Sequence, residues 1–260
     1  MNRRSFIFSI SMASLGVPNA GHGQIINLND AINKAGRQRM LSQRMGKAWL
    51  SIGQDIQTDS ARKILDQSMA LFDRQLVELK AFSPAGETRE IYTELEDVWS
   101  DYKGILVGRA PSQGRAQAML EQSGKILALA HKGTGLFEAQ SGRPVGKLVN
   151  IAGRQRMLSQ RMAEYYMAMN WSVGTSSSLQ ELTKARNEFV PALEILRNAS
   201  EATPQIKQEL LLADNQWLFF DNALKVNVAS AKAANDVFVT SENLLQVMDR
   251  VTGMYAKILA

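Results

Sequence analysis

The chain has 260 residues, of which 45% are hydrophobic and 21% are charged, so it can bury one or two cores of ordinary size. It contains no cysteine and only two histidines, His22 and His131. This composition excludes disulfides, cysteine nucleophiles and metal sites built from thiolates or a histidine cluster. The formal net charge of +5 is modest and does not predict a nucleic-acid-binding protein.

The N-terminal segment is typical of an export signal. Arg3 and Arg4 precede a short apolar run, FIFSISMASLGV, and the following PNAG supplies small residues for cleavage near Ala20. The run has about a dozen residues, whereas a membrane-spanning helix needs about 20. We therefore expect residues 1–23 to form the signal peptide region of a periplasmic protein. Both the twin-arginine and the Sec route are compatible with this segment.

The segment AGRQRMLSQRM occurs twice without change, at residues 35–45 and 152–162. Other positions match at the same spacing, among them Asn33 with Asn150 and Phe72 with Phe189. With one inserted residue, the stretch 126–137 also aligns with 244–255. A tandem duplication explains these matches, and it predicts two domains, at 24–142 and 143–260.

Apolar residues recur at helical spacing along both repeats, and no stretch shows the alternation of a strand. Turn residues divide the pattern into eight predicted helices, at 26–57, 59–82, 87–107, 114–141, 144–174, 178–200, 204–230 and 235–258. Ser178 and Glu181 are expected to form a capping box, and Pro191 is expected to kink or shorten its helix. The pattern predicts an all-α fold of two tandem four-helix up-down bundles.

The first helix of each repeat has a face of small and apolar residues with one arginine at its centre. In the first repeat this row is Leu28, Ile32, Ala35, Arg39, Ser42, Gly46 and Gly53. In the second it is Val145, Val149, Ala152, Arg156, Ser159, Ala163 and Asn170. Small residues allow two helices to approach closely, so the row predicts a helix–helix contact.

An arginine in such a contact loses water and needs an acceptor. The spacing leaves two acceptors open: a glutamate from another helix, or a small anion shared by Arg39 and Arg156. A planar anion with several oxygens suits the guanidinium fork, and Gly36 and Gly153, one turn earlier, would let it reach the backbone. Arg37 and Arg44, seven residues apart, share a third face of the helix. For this face we expect solvent exposure or ordinary ion pairs.

The segment INKAGRQRMLSQRM at 32–45 resembles the P-box of bacterial nitrate/nitrite sensor histidine kinases. It also resembles the start of the PilJ-type sensor domain of type IV pilus chemoreceptors. The resemblance implies helical bundles that dimerise through their first helices, with P-box arginines of two subunits clasping one nitrate. By residue, it implies Arg39, Arg156, Gly36 and Gly153 as anion-binding residues. The box lysine falls on Lys34, but the second repeat has isoleucine at that position.

Together, the residues and the resemblance predict a periplasmic protein that binds or senses nitrate or nitrite. The two repeats would form an intramolecular pseudo-dimer within a monomer, lying side by side; an end-to-end rod is the competing arrangement. We expect no enzymatic activity, no cofactor, no metal and no nucleic-acid partner. Because the resemblance implies transmembrane and output modules that this sequence does not show, we expect a protein partner in or at the inner membrane: a sensor kinase, chemoreceptor or transporter. The alternative function is a helical scaffold for a membrane receptor, transporter or pilus component, without a small ligand.

Overall fold

A computed structural model describes residues 24–83, 85–225 and 230–258 of the chain. Over these ranges the structure contains eight α-helices and no strand, which confirms the all-α prediction. The helices of the first repeat are α1 (Leu28–Ile52), α2 (Thr58–Phe82), α3 (Gly86–Gly108) and α4 (Gln113–Ser141). Those of the second are α5 (Pro144–Asn170), α6 (Thr175–Asn198), α7 (Pro204–Leu224) and α8 (Ala231–Ala256).

Each repeat folds as a four-helix bundle with the same internal packing. In the first, α1 packs on α2 and α4, and α3 packs on α4; in the second, α5 packs on α6 and α8, and α7 packs on α8. Equivalent aromatic pairs lie in both cores: the ring centroids of Phe72 and Trp99 are 4.3 Å apart, and those of Phe189 and Trp217 are 4.4 Å apart. The two bundles are therefore copies of one unit in structure as well as in sequence.

The bundles lie side by side, because their first helices, α1 and α5, pack against each other along an extensive contact. Gly142 makes this possible: it ends α4 in the left-handed region, with φ of 59°, and Pro144 begins α5. Pro is favourable at the first position of a helix, while Gly adopts positive φ without strain. The chain thus turns back at this point rather than continuing as a rod.

Several local predictions were wrong in detail. Helix α1 ends at Ile52 rather than near 57, because Asp55 and Gln57 adopt positive φ. The capping box at Ser178 is not formed: α6 begins at Thr175, and the Ser178 hydroxyl donates to the Val173 carbonyl instead. Helix α6 also continues through Pro191 to Asn198, so the proline does not shorten it, and the alternative of a kink stays a prediction.

The predicted signal peptide, residues 1–23, lies outside the described residues. Among the helices that the structure describes, none combines the length and the apolar character that crossing a membrane requires. The division of the chain into domains at 23 and 142 stays a prediction.

Candidate functional site

The α1–α5 contact brings Arg39 and Arg156 together, and both side chains are 0% exposed. Their guanidinium groups converge over the two glycines of the repeated segment. A β-carbon on Gly36 would lie 3.0 Å from Arg39 Nη2 and 3.6 Å from Arg156 Nη2; one on Gly153 would lie 3.2 Å from Arg156 Nη2 and 3.6 Å from Arg39 Nη2. All four predicted anion-binding residues therefore meet at one place, and the lack of side chains on the glycines makes room for both arginines.

Each arginine also binds the helix of the other repeat. Arg156 Nη2 donates to the carbonyl of Asn33 at 3.0 Å, and Arg39 Nη2 donates to the side-chain oxygen of Asn150 at 2.7 Å. Asn33 and Asn150 are equivalent positions, so the two arginines cross the interface in the same manner. We call the group of Arg39, Arg156, Gly36 and Gly153 the arginine clasp.

The clasp differs on its two sides, because the fourth helices supply different residues. Asp249 of α8 accepts from Arg156 Nη1 at 2.5 Å and from Arg37 Nη2 at 2.8 Å. At the equivalent position of α4, His131 Nδ1 lies 3.3 Å from Arg39 Nη1 and 3.5 Å from Arg154 Nη1. One arginine of the clasp thus has a carboxylate partner, whereas the other has an imidazole.

The clasp is strongly cationic. Burial, followed by repulsion from Arg154 and Arg156, lowers the pKa of Arg39 to about 9. Burial also lowers the pKa of Arg156 to about 10, although Asp249 acts in the opposite direction. Both guanidinium groups are nevertheless charged at neutral pH, and the Nε atom of each is buried without a hydrogen-bond partner. The side-chain oxygen of Asn33 is likewise buried and unpartnered.

A second buried polar position, more than one turn further along α1 and α5, also differs between the two repeats. Lys47 on α1 is 0% exposed and binds Glu242 Oε1 at 2.6 Å and Ser241 Oγ at 3.0 Å. The equivalent of Lys47 on α5 is Glu164, whose carboxyl accepts from Ser123 Oγ at 2.8 Å. Burial raises the pKa of Glu164 to about 8, so it is largely protonated at neutral pH. The same position is thus a cation in one repeat and a neutral acid in the other.

The chemistry available at the clasp is hydrogen-bond donation by fixed positive charges. Guanidinium groups only donate, and buried ones bind carboxylates and small oxyanions in preference to neutral groups. No cluster of histidine, cysteine, aspartate or glutamate suited to a metal ion occurs among the described residues. The site is therefore suited to holding an anion.

Arg37 lies beside the clasp, because it shares Asp249 with Arg156, whereas Arg44 and Lys34 lie further away. Arg44 pairs with Glu242, with Nη2 to Oε2 at 2.5 Å, so the face of Arg37 and Arg44 carries ion pairs. Lys34 binds Glu78 at 2.9 Å and Asp30 at 3.3 Å. The box lysine thus stabilises its own bundle.

The sequence reasoning missed the residues that distinguish the two sides of the clasp. His131 and Asp249 occupy the same position when 126–137 is aligned with 244–255, and that alignment was available from the sequence. What it did not indicate is that α4 and α8 each lie against the first helix of both repeats. Only the packed structure shows this.

A family profile described as the type IV pili methyl-accepting chemotaxis transducer N-terminal domain, PilJ, matches the chain twice, over residues 24–126 and 139–246. The chain matches no curated protein and no solved structure. The two matches together cover most of the chain, and each covers the greater part of one bundle. The protein belongs to the PilJ family, as a tandem pair of its sensor domains.

Proposed function

We propose that the protein is an exported sensor component that binds one nitrate or nitrite ion between its two repeats, at Arg39 and Arg156. The observation that carries this proposal is the convergence of two fully buried guanidinium groups over Gly36 and Gly153. Each repeat supplies half of the site. This explains why the same segment is kept twice in one chain.

The charges around the clasp favour an anion. Four guanidinium groups lie in or beside it, those of Arg37, Arg39, Arg154 and Arg156. Three carboxylates oppose them: Asp249 on Arg37 and Arg156, Glu188 on Arg154, and Glu138, which accepts from the Asn150 side chain. With His131 neutral, one positive charge is left uncompensated, and a single monovalent anion would balance it.

Two guanidinium groups at ~6 Å repel each other by roughly 3 kcal/mol at an effective dielectric constant of 20. An anion between them would replace this repulsion by charge-assisted hydrogen bonds to both groups. The planar guanidinium fork matches a planar ion whose oxygens lie at fixed angles. Nitrate and nitrite fit this description and carry the single negative charge that balances the site, whereas sulfate carries two.

Signalling would require export and a partner. The leader sequence before Ala20 supports delivery to the periplasm, and the PilJ family supports a role as a sensor rather than an enzyme. The signal would pass to a receptor, sensor kinase or transporter in the inner membrane. Mass spectrometry of periplasmic extract should find a mature N-terminus between residues 20 and 25; full-length protein in the cytoplasm as the main species would contradict export.

The anion site is tested by calorimetry and by thermal shift with nitrate, nitrite, chloride, sulfate and acetate at fixed ionic strength. Nitrate or nitrite should raise the melting temperature most, with one ion bound per monomer. Arg39→Ala and Arg156→Ala should each weaken binding at least tenfold, because each removes charge-assisted bonds worth ~1.5–3 kcal/mol. Arg62→Ala, at an exposed position of α2, is the matched control and should bind like the parent.

The second candidate function is a scaffold without a small ligand. The ion pair between Arg156 and Asp249 favours it, because it gives one clasp arginine a structural role. A protein that binds none of the five anions saturably, or that binds two ions independently, would exclude the shared clasp. The first of these results would favour the scaffold.

A further inference from the structure

His131 occupies the position on α4 that Asp249 occupies on α8, yet the two residues meet the clasp with opposite chemistry. Asp249 is an anion that accepts from Arg156 and Arg37. His131 presents Nδ1 to Arg39 and Arg154, at 3.3 and 3.5 Å. Arginine can only donate, so this nitrogen accepts, and the imidazole is neutral with its hydrogen on Nε2.

The surroundings of His131 favour its neutral form. The charged groups that face it are Arg39 of α1, Arg154 of α5, Glu188 of α6 and Glu138 of its own helix. Burial lowers the pKa of His131, Arg39 and Arg154 lower it further, and the two glutamates act in the opposite direction with less effect. The ring therefore serves as the acceptor for two cations.

His131 contacts Arg39 and also lines a partly open cavity of about 230 Å³ between α4, α5 and α6. This volume is several times the roughly 30 Å³ that a water molecule occupies in the liquid. The cavity wall carries Arg154, Arg161 and Lys184, with Glu181 and Glu188 beside them. A small anion can therefore enter this cavity and reach the imidazole, which contacts Arg39 of the clasp.

The opposite side of the clasp is closed by acids. Gly124 lines the cavity on α4, whereas the equivalent residue of α8 is Glu242, which fills the corresponding place with its ion pairs to Arg44 and Lys47. Asp249, further along α8, lies next to the clasp and binds Arg156. Two carboxylates would repel an approaching anion on that side, so the imidazole side is the one open to it.

We propose that His131 forms the anion-facing wall of the clasp and takes up one proton when the anion binds. This inference rests on the proposed function. An anion supplies the acceptor that Arg39 and Arg154 now find in the imidazole, so Nδ1 is released and can hold a proton. The anion also cancels part of the positive potential that disfavours the imidazolium, and the imidazolium in turn attracts the anion. The two binding events therefore strengthen each other, and affinity for the anion rises as pH falls.

Calorimetric titration of the mature chain with sodium nitrate tests this, in pairs of chloride-free buffers with different ionisation enthalpies, from pH 5.5 to 8. For the parent we expect uptake of up to one proton per nitrate and a Kd that tightens by up to tenfold per pH unit as pH falls through the transition. His131→Gln keeps an acceptor but cannot be protonated, so it should bind nitrate without proton uptake and without this pH dependence. His131→Asp copies the other side of the clasp, and it should weaken nitrate binding at least tenfold at every pH.

Lys132→Gln is the matched control, since Lys132 is the exposed neighbour of His131 and pairs with Glu87 outside the clasp; it should keep the proton uptake. Circular dichroism of each variant verifies the fold. Nitrate binding by the parent that is independent of pH, or proton uptake that persists in His131→Gln, would overturn this inference and leave the arginine clasp intact. A parent that does not bind nitrate at any pH would overturn both.

Discussion

The two halves of the α1–α5 interface carry the same eleven residues, but their arginines are compensated by different helices. On α1, the first half of the interface, the arginines on either side of Arg39 are Arg37 and Arg44, and both pair with the fourth helix of the other repeat. Arg37 binds Asp249 and Arg44 binds Glu242, so α8 supplies both carboxylates. These contacts tie the second bundle to the first.

On the second half, the equivalent arginines turn to their own bundle. Arg154 binds Glu188 at 2.6 Å and Arg161 binds Glu181 at 2.7 Å, and both glutamates belong to α6. The flanking charges of this half are therefore balanced within the second repeat, without a carboxylate from α4.

The residues that changed are those of the surrounding helices. The positions on α2 that correspond to Glu181 and Glu188 are Ile64 and Leu71, and the positions on α4 that correspond to Glu242 and Asp249 are Gly124 and His131. All four acids thus belong to the second repeat, on α6 and α8, and the first repeat has no acid at the equivalent positions. The side of the clasp along α4 therefore lacks acidic residues at these positions and is lined by a cavity, while Glu242 and Asp249 of α8 form ion pairs with arginines of α1 and α5.

If only the arginine surroundings have diverged, the two cores should respond alike to damage. Phe72→Ala and Phe189→Ala each remove a 0% exposed ring that stacks on a tryptophan. Each should lower the free energy of unfolding by ~3–5 kcal/mol, measured by urea denaturation. A cost for one that is less than half of the cost for the other would break the equivalence of the bundles.

The fold was predictable because its determinants repeat in the sequence. Apolar spacing and the duplicated segment were sufficient for eight helices and two bundles, whereas the meeting of Arg39 with Arg156 was one of two arrangements that the sequence left open. The helix ends were less predictable, because positive φ at Asp55 or Ser172 depends on the turn that follows rather than on residue type. The asymmetry of the clasp could not be predicted without knowing that α4 and α8 cross both first helices, since partner residues such as Glu188 and Asp249 are distant in the sequence.

The first repeat has Lys47 where the second has Glu164, and the pKa of Glu164 allows this difference to be tested. Because burial raises its pKa to about 8, the folded state favours the protonated carboxyl. Its contribution to stability is complete below the unfolded pKa of about 4.3, and it is lost progressively, by about 1.4 kcal/mol per pH unit, as pH rises from there to the folded pKa of about 8. Glu164→Gln should remove this loss and be more stable than the parent by roughly 3 kcal/mol at pH 7. Urea unfolding from pH 4.5 to 8.5 checks it, with Glu121→Gln, on the exposed side of α4, as control; equal slopes for parent and Glu164→Gln would contradict the prediction.

Asp249 should matter more for stability than its functional counterpart on the other half, Glu188. Asp249→Asn removes the carboxylate from Arg156, which is fully buried although Asp249 itself is 43% exposed, and we expect a loss of about 1–2 kcal/mol after solvent screening. Glu188→Gln affects a pair in which both side chains are about one third exposed, at 34% and 33%, so the loss should stay below about 1 kcal/mol. Burial acts to raise the pKa of Asp249, but Arg156 and Arg37 outweigh it and lower the pKa to about 2. Its contribution is therefore present above about pH 4 and lost as pH falls towards 2. Thermal melts at pH 7 should show a larger loss of stability in Asp249→Asn than in Glu188→Gln. Equal losses would mean that the ion pairs stabilise both halves of the interface to the same extent.

The smallest expected effect on stability concerns one glycine position that is the same in both repeats: Gly135 in α4 and Gly253 in α8. Neither has an atom within 4 Å of the place where a β-carbon would be, so alanine fits at both without a clash. Alanine in a helix is favoured over glycine by up to about 1 kcal/mol, chiefly because it reduces the entropy of the unfolded chain. Gly135 lies six residues before the end of α4, whereas Gly253 lies in the last turn of α8, where helices fray. Gly135→Ala should therefore raise the free energy of unfolding by ~0.5–1 kcal/mol and Gly253→Ala by less.

Gly133→Ala is a control with the opposite expected effect. Its β-carbon would lie 2.8 Å from the Tyr92 hydroxyl, so this substitution should destabilise the bundle. A loss of stability in Gly135→Ala would mean that this face of α4 is not open, and that the two fourth helices differ here as well.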